Sequence, residues 1–548
     1  MAADADHEAR PEVELKTNRE TVRSATVKLL RELGFTTIFG NPGSTELPMF
    51  RDFPDDFRYV LGLQEASVLG MADGFAHATR NAALINVHSA AGLGHALGNL
   101  FTARKNQTPL IVIAGQQARS LLPFEPFLFA ERATEFPQPH VKWACEPARA
   151  QDVPAAIARA YYVAMQPPRG PVFLSIPMDD WDEPAEAVEV RRVADRIADA
   201  SGLIDEAIAA LAGARQPAFV AGPGIALEDA WDEMIALAEK HRARVWVSPN
   251  SPRNSFPEDH PLFAGFLPAD RGHVVASLAG SDVILVIGAP AFVYHVEGSG
   301  PHVPEGAKLF QFVDDPALAT WAASGTAITT SIKPALEALL EATPSPQRAE
   351  PPARQPVPAP SGAALTEPFL MHRIAAARPA NSIIVEEAPS SRPALQTHLP
   401  IVRRDGFFTS ASGGLGYSLP AAVGIALGKP GDKVIGLIGD GSSLYSIQGL
   451  WSAAQLGLPI SYIIVNNHGY SALKAFGQRF GLGNPVGSDI VGVDFCKIAE
   501  GQGLEARRVA DPAELDAALR WSFDAKGPTL IEVLTVPDPD ARPWWAES

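Results

Sequence analysis

Short apolar runs recur along the chain, and most end on glycine, proline or a polar pair. FTTIFG (35–40), ALINVHS (83–89) and PLIVIAG (109–115) alternate with stretches of helical spacing such as Glu65–Ala78. The same rhythm returns in PAFVAGPG (217–224), RVWVSP (244–249) and DVILVIGAP (282–290), and again in NSIIVEEA (381–388), KVIGLIGDG (433–441), ISYIIVNN (460–467) and PTLIEVLTV (528–536). Continuous apolar runs without polar alternation predict strands buried on both faces, as in parallel sheets with helices on either side.

The breaks between these groups set the domains. GPVFLSIPMDD ends its strand-like core at Pro177, and the acidic, proline-containing segment Asp179–Glu189 reads as a linker. A second group begins near Arg196. The Pro/Ala-rich stretch Thr343–Gly362 cannot bury much and predicts an extended surface connector. The predicted fold class is therefore α/β, with three domains of parallel sheet flanked by helices: 18–183, 196–342 and 363–540, with 343–362 as the linker. A length of 548 residues fits this, being too great for one core.

Charge and composition exclude some functions. A net charge of −17 disfavours non-specific binding to nucleic acid or anionic membrane. No apolar run is long enough to span a membrane, and the charged N-terminus MAADADHEARPEVELKTN lacks the apolar stretch of a signal peptide, so a cytoplasmic location is expected. Cys145 and Cys496 lie in no CxxC pair, which argues against a zinc site or disulfide framework.

Two consecutive predicted strands end in polar residues that invite chemistry. Val434–Ile438 runs into Gly439-Asp440-Gly441, and Ile460–Val465 into Asn466-Asn467. With Ser446–Leu456 as a crossover helix carrying Ile447, Leu450, Trp451 and Ala454 on one face, a right-handed βαβ unit brings both ends to one sheet edge, where ligands bind. A carboxylate oxygen and an amide oxygen suit Mg²⁺, which completes its shell with phosphate and water. Gly441, Ser442 and Ser443 can offer donors to an anion just before a helix. A diphosphate held through Mg²⁺ accounts for the whole set. An ordinary βα turn with a capping Asp would account for GDG alone.

GDG with NN 27 positions further on, Asp440 to Asn467, resembles the signature of the thiamine-diphosphate (ThDP) enzymes. The resemblance spreads over nearly the whole chain. FGNPGSTELP, LQEAS, NVHSAAGLGHALGNL, AGQQAR, GPVFLSIPMDDWD, VSPNSPR, VIGAPAFVYH and GGLGYSLPAA are all similar to the benzoylformate decarboxylase family of ThDP-dependent decarboxylases. It implies an aminopyrimidine-binding domain, a central domain and a diphosphate-binding domain, in that order. It implies Mg²⁺ on Asp440, Asn467 and the backbone oxygen of Gly469, and ThDP contacts from Gly441, Ser442, Ser390 and Tyr470. Glu65 would hydrogen-bond the aminopyrimidine ring, promote its imino tautomer and so assist loss of the thiazolium C2 proton. By itself Glu65 would be an acidic residue complementing a helix dipole. Ser44, otherwise a turn or cap residue, would face the substrate carboxylate. His88 and His295, each at the end of an apolar run, would be the two proton-transferring histidines. His468, beside the metal loop, has no assigned role. Leu415 would wedge under ThDP and keep it bent.

The implied reaction is loss of CO₂ from an aromatic 2-oxo acid, benzoylformate giving benzaldehyde, in a pocket drawn from Phe127, Leu128, Thr409, Ala472, Leu473 and Phe476. Two departures from the family pattern bear on this: Thr409 stands where a bulky Phe is usual, and Pro389 where a diphosphate-region Thr is usual. Alternatives are a ThDP decarboxylase or carboligase for other 2-oxo acids or aldehydes, an acetolactate-synthase-like enzyme with FAD, and a catalytically silent scaffold. His88 and His295 argue against the flavin enzyme, and intact Glu65, Asp440 and Asn467 against the scaffold. The family also implies ThDP bound between subunits, hence at least a homodimer and in all a homotetramer.

Overall fold

The computed structural model of the chain describes residues 20–538. Three six-stranded sheets form, every strand pair within them parallel. The first runs in space Arg58–Leu61, Thr37–Asn41, Ala83–Val87, Leu110–Gln116, Val172–Pro177, Ala144–Cys145. The third runs Phe407–Thr409, Ser382–Glu387, Lys433–Gly439, Ile460–Asn466, Thr529–Leu534, Glu505–Val509. Numbered along the chain, both have the order 2-1-3-4-6-5. The central sheet differs, with order 3-2-1-4-5-6 over strands between Pro217 and Thr329. The outer two domains thus share one topology.

The first domain extends past its expected end. Glu20–Thr21 pairs antiparallel with Pro184–Ala185. Asp179–Glu189 was expected as a linker, yet its first half is built into the domain. Asp180 is buried on a bidentate bond from Arg119 (2.7 and 2.8 Å), Trp181 is buried, and Asp182 takes Arg23 and Arg51. Charge counted along the sequence looked solvated because its cationic partners lie far away in the chain. The stretch 343–362 does run without helix or strand, anchored by Arg348, whose guanidinium caps the Leu211 and Ala214 carbonyls.

One hydrophobic core is shared by the first and third domains, joining Phe39, Ile85 and Val112 to Ile383, Val434 and Tyr462. At its centre helix Glu65–Thr79 packs on helix Ser418–Gly428. Their backbones nearly touch: a Cβ on Gly424 would lie 1.8 Å from the Met71 carbonyl oxygen, and one on Gly74 2.2 Å from that of Ala421. Glycine is obligatory at such a crossing.

A polar node ties all three domains. Asp405, buried, accepts Arg253 Nη2 (2.6 Å) of the central domain and Arg80 Nη2 (3.1 Å) of the first, with Lys429 Nζ at 3.4 Å from its own. Burial pushes its carboxyl upward, but the three cations win and hold it below the usual range. Arg253 also donates to His77 Nδ1 (3.2 Å), whose imidazole burial keeps neutral.

Candidate active site

The expected Asp–Asn pair forms at one sheet edge. Strands Lys433–Gly439 and Ile460–Asn466 are hydrogen-bonded neighbours, so Asp440 and Asn467 leave the sheet side by side. The crossover helix is shorter than expected, Gly449–Gln455, because 446–450 turns on i→i+3 bonds. It buries Leu450 and Ala453; Ile447, just before it, and Ala454 pack half-buried against the same core, and Trp451 is half-buried. Asp440 is 3% exposed; its Oδ1 accepts Gly441 N (2.7 Å) and its Oδ2 Gly469 N (2.8 Å). Burial raises its pKa against the pull of those two N–H groups.

Asn467 supplies the test of a metal. Its Nδ2 donates to Ser390 Oγ (3.2 Å) and Glu367 Oε1 (3.4 Å), which fixes the amide's orientation. Oδ1 then turns the other way, buried and without a hydrogen-bond partner. A buried carbonyl oxygen left unpaired costs free energy unless something accepts its lone pairs. Beside the Asp440 carboxylate, a hard divalent cation fits that donor set. The Gly469 carbonyl accepts Ser471 N (3.0 Å), and a Cβ at Gly469 would lie 2.3 Å from the Ser488 carbonyl oxygen, so the loop closes only with glycine there. Tyr470 lays its ring against Gly441, where a Cβ would come within 2.4 Å. Ser442 is buried in the same turn, and the His468 backbone bonds to Asn466 Oδ1 and Ile490 N. Pro389 opens a turn, Pro389–Ser391, that presents Ser390 to Asn467.

The loop carrying Leu415 is held by a residue that the sequence did not single out. Glu387, wholly buried, accepts the N–H groups of Gly416 (2.6 Å), Tyr417 (2.9 Å) and Ser418 (2.7 Å), while burial pushes its carboxyl up to about 7. Asn99 then ties Gly416 to the first domain, its Nδ2 reaching the carbonyls of Ala66 (2.6 Å) and Gly416 (3.2 Å). Thr409 is buried inside the third domain, donating to the Glu386 carbonyl (2.7 Å) and accepting Arg392 Nη2 (2.8 Å). A small hydroxyl at a strand end turns inward where a carbonyl awaits it.

The first domain gathers the other expected residues. Gln64 caps helix Glu65–Thr79 with its side chain, which places Glu65 at the first helical position, 7% exposed. His88 caps helix Ser89–Lys105; its Nδ1 meets Glu46 Oε2 (2.9 Å) and Thr45 Oγ1 (3.1 Å). Ser44 is exposed one residue from Gly43, whose missing side chain admits the His88 ring: a Cβ would lie 2.3 Å from it. Phe127 (87% exposed) and Leu128 lie in a loop tied to the same corner by Ser89 Oγ, which donates to the Leu128 carbonyl (2.7 Å). Glu46 is the clearest functional residue missed in the sequence; its place inside NPGSTE was the only signal.

His295 sits exposed in the central domain, and its ring lies 5.3 Å from that of Phe476 on helix Ser471–Gln478. Ala472 and Leu473 are exposed on that helix. The predicted residues therefore form two groups in one chain: Ser44, Glu65, His88, Phe127 and Leu128 on the first domain, and His295, Leu415, Asp440, Asn467 and Phe476 on the other two. Away from both groups, Asp494, Cys496 and Glu532 cluster at metal-ligand distances, but Arg508 neutralises the two carboxylates (2.8 Å each).

Three family descriptions match in order: the N-terminal TPP binding domain of thiamine pyrophosphate enzymes at residues 20–140, the central domain at 204–339 and the C-terminal TPP binding domain at 390–533. Benzoylformate decarboxylase from Pseudomonas aeruginosa is 44% identical over 94% of this chain and 99% of its own. The crystal structure of benzoylformate decarboxylase from Polynucleobacter necessarius superposes with a TM-score of 0.92 at 40% identity, covering 94% of this chain and 99% of that one. The ThDP-dependent 4-hydroxybenzoylformate decarboxylase of Rhodococcus jostii RHA1 superposes at 0.91, also with 40% identity, over 95% of this chain and all of that one (100%). Matched across all three domains and at high identity along nearly its whole length, the chain belongs to the thiamine pyrophosphate enzymes, on their benzoylformate decarboxylase branch.

Proposed function

We propose that the chain decarboxylates an aromatic 2-oxo acid without oxidation, taking benzoylformate and a proton to benzaldehyde and CO₂, with ThDP and Mg²⁺ bound. The observation that carries the metal and cofactor site is the unpartnered, buried Oδ1 of Asn467 beside Asp440. Asp440, Asn467 and the Gly469 carbonyl would hold Mg²⁺; Gly441, Ser442 and Ser390 would hold the diphosphate, with Tyr470 closing over the turn. Leu415 would support the ring system. ThDP, when bound, supplies the electron sink that lets a 2-oxo acid lose CO₂.

This chain's own residues bind, orient and move protons. Glu65 would hydrogen-bond the aminopyrimidine ring when ThDP is bound. Ser44 Oγ orients the substrate carboxylate without pairing with it, which would oppose its departure as CO₂. His88, aimed by Glu46, and His295, braced by Phe476, deliver the proton that replaces CO₂. Phe127, Leu128, Ala472, Leu473 and Phe476 exclude water and favour loss of the carboxylate's charge.

Assembly is part of the same reading. Phe124, Phe127, Phe136, Leu473, Phe480 and Leu482 are all more than 40% exposed, next to the two half-sites. Apolar surface of this kind marks an interface. A homodimer, two of which make a tetramer, would cover it and bring the first domain of one subunit to the third of another. No helix among the described residues is long and apolar enough to cross a membrane, and we place the enzyme in the cytoplasm.

The test is calorimetry of ThDP on chelator-stripped protein with and without Mg²⁺, followed by CO₂ release from a panel of 2-oxo acids. Binding that needs Mg²⁺, and turnover led by benzoylformate and ring-substituted analogues, is expected. No Mg²⁺-assisted binding refutes the site; turnover of aliphatic acids alone refutes the substrate. Sedimentation showing an active monomer refutes the assembly.

A further inference from the structure

Glu65 has two side-chain partners, neither marked by the sequence. Asn41 Nδ2, at the end of strand Thr37–Asn41, lies 3.2 Å from Oε1, and His95 Nδ1, on helix Ser89–Lys105, lies 3.2 Å from Oε2. Gly92, one turn before His95, leaves room for the carboxylate; a Cβ there would lie 3.1 Å from Oε1. The carboxyl is thus pinned at both oxygens, by an amide that never titrates and an imidazole that does.

Resting on the role given to Glu65 above, we infer that His95 is a positioning residue for Glu65, and that it gates the activation of ThDP by its own protonation. As neutral imidazole, His95 donates Nδ1–H to Oε2, fixing the carboxyl's rotation while leaving it free to share a proton with the cofactor's ring. As imidazolium it forms an ion pair, which favours the carboxylate and opposes a proton on Glu65. Activation should therefore fall on the acid side because of His95. No other charged side chain is bonded to Glu65 among the described residues. The nearest histidine on the same helix, His88, is taken by Glu46 and Thr45.

The test is deuterium exchange at C2 of bound ThDP in the Mg²⁺-loaded holoenzyme, measured without substrate across acid to neutral pH, together with calorimetric ThDP affinity. His95 is 66% exposed, so truncating it opens no cavity. In His95→Ala, exchange at neutral pH should drop about ten- to a hundredfold, the worth of one hydrogen bond to a charged group, with ThDP affinity within about threefold. In His95→Asn, whose amide can stand where Nδ1 stood, neutral-pH exchange should recover and the acid-side fall should vanish. Wild-type exchange in His95→Ala, or an unchanged acid-side fall in His95→Asn, overturns the inference. Glu65→Gln separates the two readings: wild-type exchange there removes Glu65 itself from activation, whereas slow exchange there with an unaffected His95→Ala removes only His95.

Discussion

Glu46 is 2% exposed and surrounded by donors: the N–H groups of Gly43 and Gly115 (2.8 Å each), the Thr45 hydroxyl (2.6 Å) and His88 Nδ1 (2.9 Å). A carboxylate so held sets both the tautomer and the direction of the imidazole, leaving Nε2 for the reaction. Glu46→Gln should leave ThDP affinity unchanged and lower kcat by roughly tenfold or more, read by calorimetry and steady-state kinetics. Equal loss in Glu46→Gln and in affinity would make Glu46 merely structural. At this scale the sequence was half legible. Asp440, Asn467 and His88 announce themselves by ending apolar runs. Glu387 and His95 do not, and Glu46 does so only by its place in NPGSTE, because the partners that give them their positions (Gly416 to Ser418, Glu65, and His88 with Gly115) lie far away in the chain. The hydroxyl of Thr409 is aimed in the same way by a distant group, the Glu386 carbonyl.

Elements were legible where periodicity was long and capping strong. Helix Glu65–Thr79 begins at the expected residue because Gln64 caps it, and the strands ending at Pro177 and Gly439 fall where glycine, proline and polar residues stop them. The crossover helix after Asp440 was overextended because its first residues, Ser446–Gln448, carry helical spacing but turn on shorter bonds. What no periodicity reveals is how closely two helices cross. Gly424→Ala would drive a methyl group to 1.8 Å from the Met71 carbonyl oxygen, against backbone that cannot swing aside. We expect destabilisation of about 1–3 kcal/mol or more, seen as a lower midpoint in chemical unfolding. Gly98→Ala, where a Cβ meets nothing within 4 Å, is the control and should be neutral or slightly stabilising.

Across the whole molecule, three domains could be seen in the rhythm of the sequence, but the joints between them could not. Glu258 is one such joint: a residue of the central domain, fully buried, its Oε2 accepting Ile401 N of the third domain (2.8 Å). Burial raises its carboxyl to about 8 against that backbone bond and the charges of Arg378 and Arg354. The folded state thus keeps a proton that the unfolded chain loses near pH 4.3, and stability drains away as pH rises from there to about 8. Glu258→Gln removes that dependence, so unfolding midpoints between pH 5 and 8 should decline less steeply in the variant than in the wild type. An identical slope would mean that Glu258 titrates normally.

The Asp405 node has a consequence for how this enzyme can come apart. Cations from all three thirds of the polypeptide converge on one carboxylate, and the outer two share a single greasy interior. A protease that nicks the proline-rich strap should therefore leave two fragments that still migrate together and still melt in one step. Lobes clasped in this way cannot swing like jaws, so substrate must be admitted by small movements of side chains and surface loops.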